Sequence, residues 1–179
     1  MIEPIRQALA QRAARAALAA RRPRPLPLLA DRRVLVVLPE DGPGQRAAWS
    51  LLGTLGVPPA RVRPVLMAPF EADVPSAFSD DLRTVGDDER DWRRLPTPAV
   101  RADLWRPEPD VALNLADPSD LCAALLVGAS PAAVRIGRHR ADREAFYDLM
   151  LQGASDAVSA AEALGRLLRR LDPPVLPTR

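Results

Sequence analysis

The sequence predicts an α/β domain built on a mostly parallel β-sheet. Residues 34–38 form a continuous run of β-branched and leucine residues, typical of a strand buried on both faces, and further strands are predicted at 111–115 and 133–136. Segments with helical periodicity separate these runs, and strands that alternate with helices favour parallel pairing. The sequence therefore predicts a single Rossmann-like domain, which we place at residues 32–172.

A basic amphipathic helix is predicted at residues 1–22, before this domain. One stripe of the helix is apolar and consists of Ile2, Ile5, Leu9, Ala13, Ala16 and Ala20. The helix also carries the arginines Arg6, Arg12, Arg15, Arg21 and Arg22. Alternate prolines from Pro23 onward end the helix, because proline lacks a backbone donor and disfavours helix before it. Residues 23–31 are predicted to form a stiff linker.

Charge is concentrated in this N-terminal arm. Residues 1–33 hold eight arginines and two acids, a net charge of +6, whereas residues 34–179 carry a net charge of −4. The arm could bind an anionic partner, namely RNA, an acidic protein or a membrane surface, or it could pack on its own domain. Arginine content alone does not decide this, because all 25 basic residues are arginine, as a GC-biased genome would encode.

The first half of the domain continues with a helix and a second strand. Residues 45–56 place Leu51, Leu52 and Leu55 on one helical face, and Gly56 is the predicted C-terminal stop. The strand at 61–67 contains Pro64, which indicates an irregular strand or an edge position.

Proline-rich and acidic sequence follows at 69–110. It is predicted to form either long loops or short strands at 83–85 and 102–105. Trp49, Trp92 and Trp105 are too scattered for a base-stacking platform and are predicted to pack in the core.

Helices dominate the C-terminal half. One is predicted at 120–127 with Ser119 or Asp117 as its N-cap, and two more at 142–153 and 155–171. Residues 173–179 are predicted to form a tail.

Composition excludes several classes of protein. One cysteine, Cys122, and one histidine, His139, cannot supply an internal disulfide or a four-ligand zinc site. No apolar run approaches the ~20 residues of a membrane span, and no secretory signal is present. We therefore expect a cytoplasmic protein without a metal. No glycine-rich phosphate-binding pattern occurs, and no cofactor is predicted.

Candidate ligand-binding residues follow the predicted strands, where open parallel sheets bind ligands. They are Glu40, Asp41, Gly42, Gly44, Asn114, Asp117, Ser119 and His139. Each also has a structural interpretation: a turn for the first four, helix capping or loop polarity for the rest. Cys122 could be an activated thiol at a helix start or a small core residue.

Residues 110–129 and 134–137 carry a resemblance to a known family. The run from Asp110 through Asn114 and Asp117 into a small-residue helix, followed by Val-Arg-Ile-Gly, resembles the end of the N-terminal half of the heptosyltransferases, glycosyltransferase family nine. The resemblance implies half of a GT-B-type enzyme, with Glu40 or Asp41 in the neighbourhood of the catalytic acid. Such enzymes bind the sugar nucleotide mainly with a second Rossmann domain, for which 179 residues leave no room.

Over most of its length the chain also resembles a small bacterial family with no assigned activity. That family combines a basic N-terminal helix, one Rossmann-like domain and a segment that here reads Tyr147-Asp-Leu-Met. Two functions are therefore expected as alternatives. The first is a non-catalytic binding or interaction protein that resembles an isolated, degenerate glycosyltransferase half. The second is an enzyme that processes sugars or nucleotide sugars and is completed by a partner or by a homodimer.

Overall fold

A computed structural model describes residues 2–19, 25, 31–69, 74–154 and 156–170, without the side chain of Ile2. In these ranges six strands form one sheet, in the order β3-β2-β1-β4-β5-β6. The strands are β1 (Val34–Val37), β2 (Val62–Met67), β3 (Arg83–Val85), β4 (Val111–Asn114), β5 (Val134–Arg138) and β6 (Leu149–Leu151). Every pairing is parallel, which confirms the predicted α/β Rossmann-like class. The order reverses between β1 and β4, the position at which doubly wound sheets open a crevice.

Five α-helices in the described ranges cover the two faces of the sheet. They are α1 (Ile2–Leu18), α2 (Gly42–Thr54), α3 (Pro98–Leu104), α4 (Leu121–Gly128) and α5 (Ala157–Arg170). The central strand β1 shows why both faces are covered: Val34 and Val36 pack with α2 and α5, whereas Leu35 and Val37 pack with α1 and α4. Alternate residues of a strand point to opposite faces, so a strand of four aliphatic residues needs a helix layer on each side.

Local signals fix the ends of α2. The Asp41 carboxylate accepts a hydrogen bond from the Gly44 N–H at 2.7 Å and caps the helix, which therefore begins three residues earlier than predicted. Gly56 follows the C-terminus with φ +66°, as predicted for a glycine that ends a helix. Trp49 of this helix is buried and stacks on Phe78 with 5.1 Å between ring centroids.

Pro64 does not place β2 at an edge of the sheet, so the edge position, one of the two predicted alternatives, is wrong. The Val65 carbonyl accepts from the Leu38 N–H of β1, and successive residues of a parallel strand bond to opposite neighbours. Pro64 therefore faces the β3 side, where pairing begins only at Val65, opposite Arg83. The sheet therefore loses no hydrogen bond through the missing N–H of Pro64.

Two further element predictions are wrong. The strand expected at 102–105 is part of helix α3, which starts because Thr97 caps the Val100 N–H and Pro98 occupies the first turn. The helix expected at 142–153 is instead a 3-10 helix, Ala141–Phe146, followed by β6, which extends the sheet beside β5. The strand predicted at 83–85 is β3.

Helix α4 begins at a different cap from either residue predicted. Asp120 accepts from the N–H groups of Cys122 and Ala123, at 2.7 and 3.2 Å. Asp117 accepts from the Ser119 N–H in the preceding turn.

Helix α1 packs on its own domain mainly through a face other than the predicted apolar stripe, of which Ala13 packs against the core. Ala10, Ala14 and Leu18 are buried in the core beside α4. Ile5 and Leu9 of the predicted stripe are 60% and 39% exposed. The small side chains of Ala10 and Ala14 allow α1 to approach α4 closely. The buried face of α1 is therefore the one with small side chains and not the more hydrophobic one.

Several predictions fall on residues outside the described ranges. They include Arg21 and Arg22 of the arm, Ala20 of its stripe, most of the linker at 23–31 and the tail at 173–179. Within the described ranges, no helix is both long enough and apolar enough to cross a membrane.

Candidate ligand-binding cavity

A cavity of about 460 Å³ opens at the carboxyl edge of the sheet. Its walls come from the ends of β1 and β2, the start of α4, the turn before α3 and the first turns of α1. This is the edge at which parallel α/β sheets bind ligands, and the volume lies within the range of small-molecule sites.

Glu40 supplies a carboxylate to this cavity, and no described side chain pairs with it. The half-buried Glu40 side chain has no hydrogen bond or ion pair within the part of the chain that the structure describes. Its pKa is raised above the ordinary 4.5, first by burial and then by the negative charges of Asp120, Asp117 and Asp41. Glu40 is therefore placed to accept a hydrogen bond from a ligand and is protonated more readily than an ordinary glutamate.

Four arginines, Arg6, Arg90, Arg93 and Arg94, line the same cavity. Three of them already have partners. Arg6 pairs with Glu3, and Arg93 makes two bonds to one oxygen of Asp91, at 2.6 and 2.9 Å. Arg90 donates to the Ala68 and Val85 carbonyls and leaves its buried Nε without a partner.

Arg94 is the cavity arginine with an available guanidinium. It makes no side-chain hydrogen bond or ion pair within the described ranges and acts on Glu3 only through longer-range electrostatic attraction. Its backbone has φ 61°, which an arginine rarely adopts. The turn is held by its backbone bond to the Asp91 carbonyl at 2.7 Å and by Asp91, which accepts from the Arg93 and Leu95 N–H groups.

The α4 side of the cavity is polar but chemically inert. Asp120 is engaged in capping, and Cys122 is buried behind it with a pKa raised by burial and by the Asp120 charge. The thiol stays protonated at neutral pH, which rules out the activated-thiol interpretation and confirms the alternative of a small core residue.

The start of α2 is closed to an anion by its own residues. The Gly44 N–H donates a hydrogen bond to the Asp41 carboxylate, and the Gln45 N–H donates one to the Asp41 carbonyl. A Cβ on Gly44 would come within 2.8 Å of Pro39 and Ala157, so this glycine serves close packing of α5. Asp41, Gly42 and Gly44 do not line the cavity.

Asn114 is occupied in the core at the end of β4. Its Oδ1 accepts from the Ala116 N–H, and its Nδ2 donates to the Tyr147 hydroxyl at 2.8 Å. Burial raises the Tyr147 pKa to about 12, so the hydroxyl remains neutral. A Cβ on Gly137 would lie 2.5 Å from this ring, which explains the glycine in β5.

The remaining predicted site residues are dispersed. Ser119 lines the cavity, whereas Asp117 and His139 are exposed outside it. Hydrogen bonds from Ser119 are the main cause of a lowered Asp117 pKa. The cavity thus brings together Glu40 and Ser119 of the eight predicted ligand-binding residues, and ligand binding by any of them stays a prediction.

Arg90, Arg93 and Arg94 line the cavity but were not predicted as site residues from the sequence. They lie in the segment interpreted as loops, and the available signal was the cluster of basic residues around Trp92. Arg6 was identified as an arm residue and lines the cavity because α1 docks beside it.

The described residues contain no group of three or more His, Cys, Asp or Glu side chains arranged to hold a metal ion. Comparisons with known proteins give no match, either to a protein-family model, to a curated protein or to a solved structure.

Proposed function

We propose that this chain is a non-catalytic binding protein whose cavity holds a small hydroxylated anion, of the class of the sugar phosphates. One observation carries the proposal: a carboxylate, Glu40, and a guanidinium, Arg94, line one cavity without partners in the described ranges. A half-buried charge is normally paired, so the unpaired Glu40 carboxylate indicates a ligand with a complementary group. The Arg94 guanidinium is exposed to solvent at the same cavity, where an anionic group of that ligand can reach it. An anionic group matches Arg94, and hydroxyl donors match Glu40.

The proposal retains the resemblance to the N-terminal half of the heptosyltransferases. A sugar phosphate carries the hydroxyl and phosphate groups that sugar-processing proteins recognise. On its own, this half would bind such a ligand without transferring it. We also propose that the protein is bacterial, as the resemblance implies, and cytoplasmic.

Titration calorimetry with glucose 6-phosphate tests this function, with inorganic phosphate and glucose as the two halves of the probe. We expect the sugar phosphate to bind more tightly than either half. E40Q and R94Q should each weaken its binding roughly 10-fold or more, because each removes a charge-assisted hydrogen bond. D41N is the matched control, since it neutralises the neighbouring acid outside the cavity and keeps a capping side chain.

The pH dependence of the same titration isolates Glu40. Binding to the parent chain should weaken as the pH falls, starting above the ordinary glutamate pKa of 4.5, because the raised pKa neutralises Glu40 early. The phosphate's own ionisation affects the parent and E40Q alike, so the ratio of their affinities reports on Glu40. Equal binding by parent and E40Q at every pH would contradict the proposal.

A second candidate function is catalytic. The raised pKa of Glu40 suits a general base, so a partner or second copy could complete a sugar-processing site around it. Release of nucleoside diphosphate from a nucleotide sugar, abolished by E40Q and retained by D41N, would favour this enzyme over the binding protein.

A further inference from the structure

The outward face of α1 combines exposed apolar residues with positive charge. This face comprises Ile5, Ala8, Leu9, Arg12, Arg15 and Ala16 of α1 together with Ala19 immediately after it, all exposed. Ile5 and Leu9 lie one turn apart at 60% and 39% exposure. The outward side of a docked helix is normally polar, so five apolar residues with two arginines and no acid require another explanation.

A second exposed element lies beside the first turns of α1. The Trp92 side chain is 66% exposed, and the Arg93 guanidinium lies 5.7 Å from the ring centroid. Arg93 and Arg94 of this turn line the same cavity as Glu3 and Arg6 of α1, which shows that the two elements are neighbours. Trp92 was predicted to pack in the core, and its exposure corrects that prediction.

We propose that the outward face of α1 and the Trp92 turn dock on an anionic lipid surface. Exposed Ile, Leu and Trp beside arginines are the groups that interfacial helices insert at the boundary of headgroups and acyl chains. Their positive charge complements anionic headgroups. The Trp92 turn also lines the cavity through Arg93 and Arg94, but the residues that test the docking surface, Ile5, Leu9, Arg12 and Arg15, lie outside the cavity.

Two other occupants fit the surface less well. A second copy packed face to face would bring two pairs of Arg12 and Arg15 together, with no acid on the face to neutralise them. A nucleic acid would match the two arginines but would leave Ile5 and Leu9 in contact with phosphates and water.

Vesicle sedimentation of the full chain tests the proposal. The probes are vesicles of phosphatidylcholine alone and vesicles with about 30% phosphatidylglycerol. We expect binding to the anionic vesicles only, lost in about 0.5 M salt. R12Q/R15Q should lower the partition coefficient about 30-fold, because each arginine near an anionic surface contributes about a factor of five.

The matched control is R166Q/R169Q, which removes the same charge from exposed arginines of α5. It should leave partitioning within about twofold of the parent, as the Debye length screens charges on another surface. I5S/L9S tests the apolar contribution at exposed positions and should lower partitioning about 10-fold or more.

Tryptophan emission supplies a second measurement. Trp92 should shift to the blue on anionic vesicles, and W92F should abolish the shift, because Trp49 is buried and Trp105 donates its indole N–H to the Leu126 carbonyl. Equal binding to both vesicle types would overturn the proposal. So would equal losses in R12Q/R15Q and R166Q/R169Q, or arginine-dependent capture of a single-stranded RNA without vesicle binding.

Discussion

Gly137 lies so close to the ring of Tyr147 that a side chain has no room there. A Cβ at this position would meet three ring carbons at 2.5–2.7 Å, and the ring is held by the Asn114 hydrogen bond. We expect G137A to lower the free energy of unfolding by about 1–3 kcal/mol through overpacking, measured by urea denaturation.

Gly53 is the matched control for this substitution. No atom lies within 4 Å of a Cβ added there, in the last turn of α2. G53A should leave stability unchanged or raise it by up to about 1 kcal/mol, because alanine favours helix. Similar stability changes in G53A and G137A would show that the Tyr147 ring moves aside freely.

Individual residues also show how much of the candidate site could be predicted from residue types alone. Glu40 and Asp41 are equivalent candidates in the sequence, since both follow β1. The structure separates them because one carboxylate caps α2 and the other lines the cavity. Arg94 could not be identified in advance, because its place depends on a turn with positive φ and on the docking of α1.

Asp41 determines where α2 begins, which is a property of the whole element. Its carboxylate satisfies one of the N–H groups that every helix leaves free at its start. D41A should lower the free energy of unfolding by about 1 kcal/mol. D41N should retain most of the parent's stability, because asparagine also caps helices. Thermal denaturation of both variants checks this expectation, and identical melting of D41A and D41N would contradict the capping role.

Strands were more predictable than helices at the element scale. A parallel strand buried on both faces favours a continuous apolar run, which β1 has throughout and β4 has up to Asn114, whereas β5 contains Arg135. The segment at 142–153 has apolar residues that also fit a helix. Residues 149–151 form a strand because the edge of β5 is free to pair with them. The pattern of a single segment does not show which strand edge it will meet.

At the scale of the whole molecule, α1 is part of the core and not an appendage. Ala10, Ala14 and Leu18 belong to the same apolar cluster as Leu35 of β1 and the buried residues of α4. Charge asymmetry in the sequence pointed to a separate arm and left its packing open. The structure shows one helix with two faces: one completes a core cluster, and the other carries the exposed arginines.

Removal of residues 1–30 tests this integration. We expect a chain that begins at Asp31 to lose about 2–4 kcal/mol of unfolding free energy, because the burial of one leucine and two alanines is lost. The cavity also loses the wall that contains Arg6, Gln7 and Ala10, so glucose 6-phosphate should bind more weakly. Urea denaturation and calorimetry of the two chains measure both effects, with I5S/L9S as the control that alters α1 without touching its buried face. An unchanged unfolding midpoint in the shortened chain would mean that α1 contributes nothing to the stability of the core. Unchanged ligand binding would mean that α1 does not contribute to the ligand site.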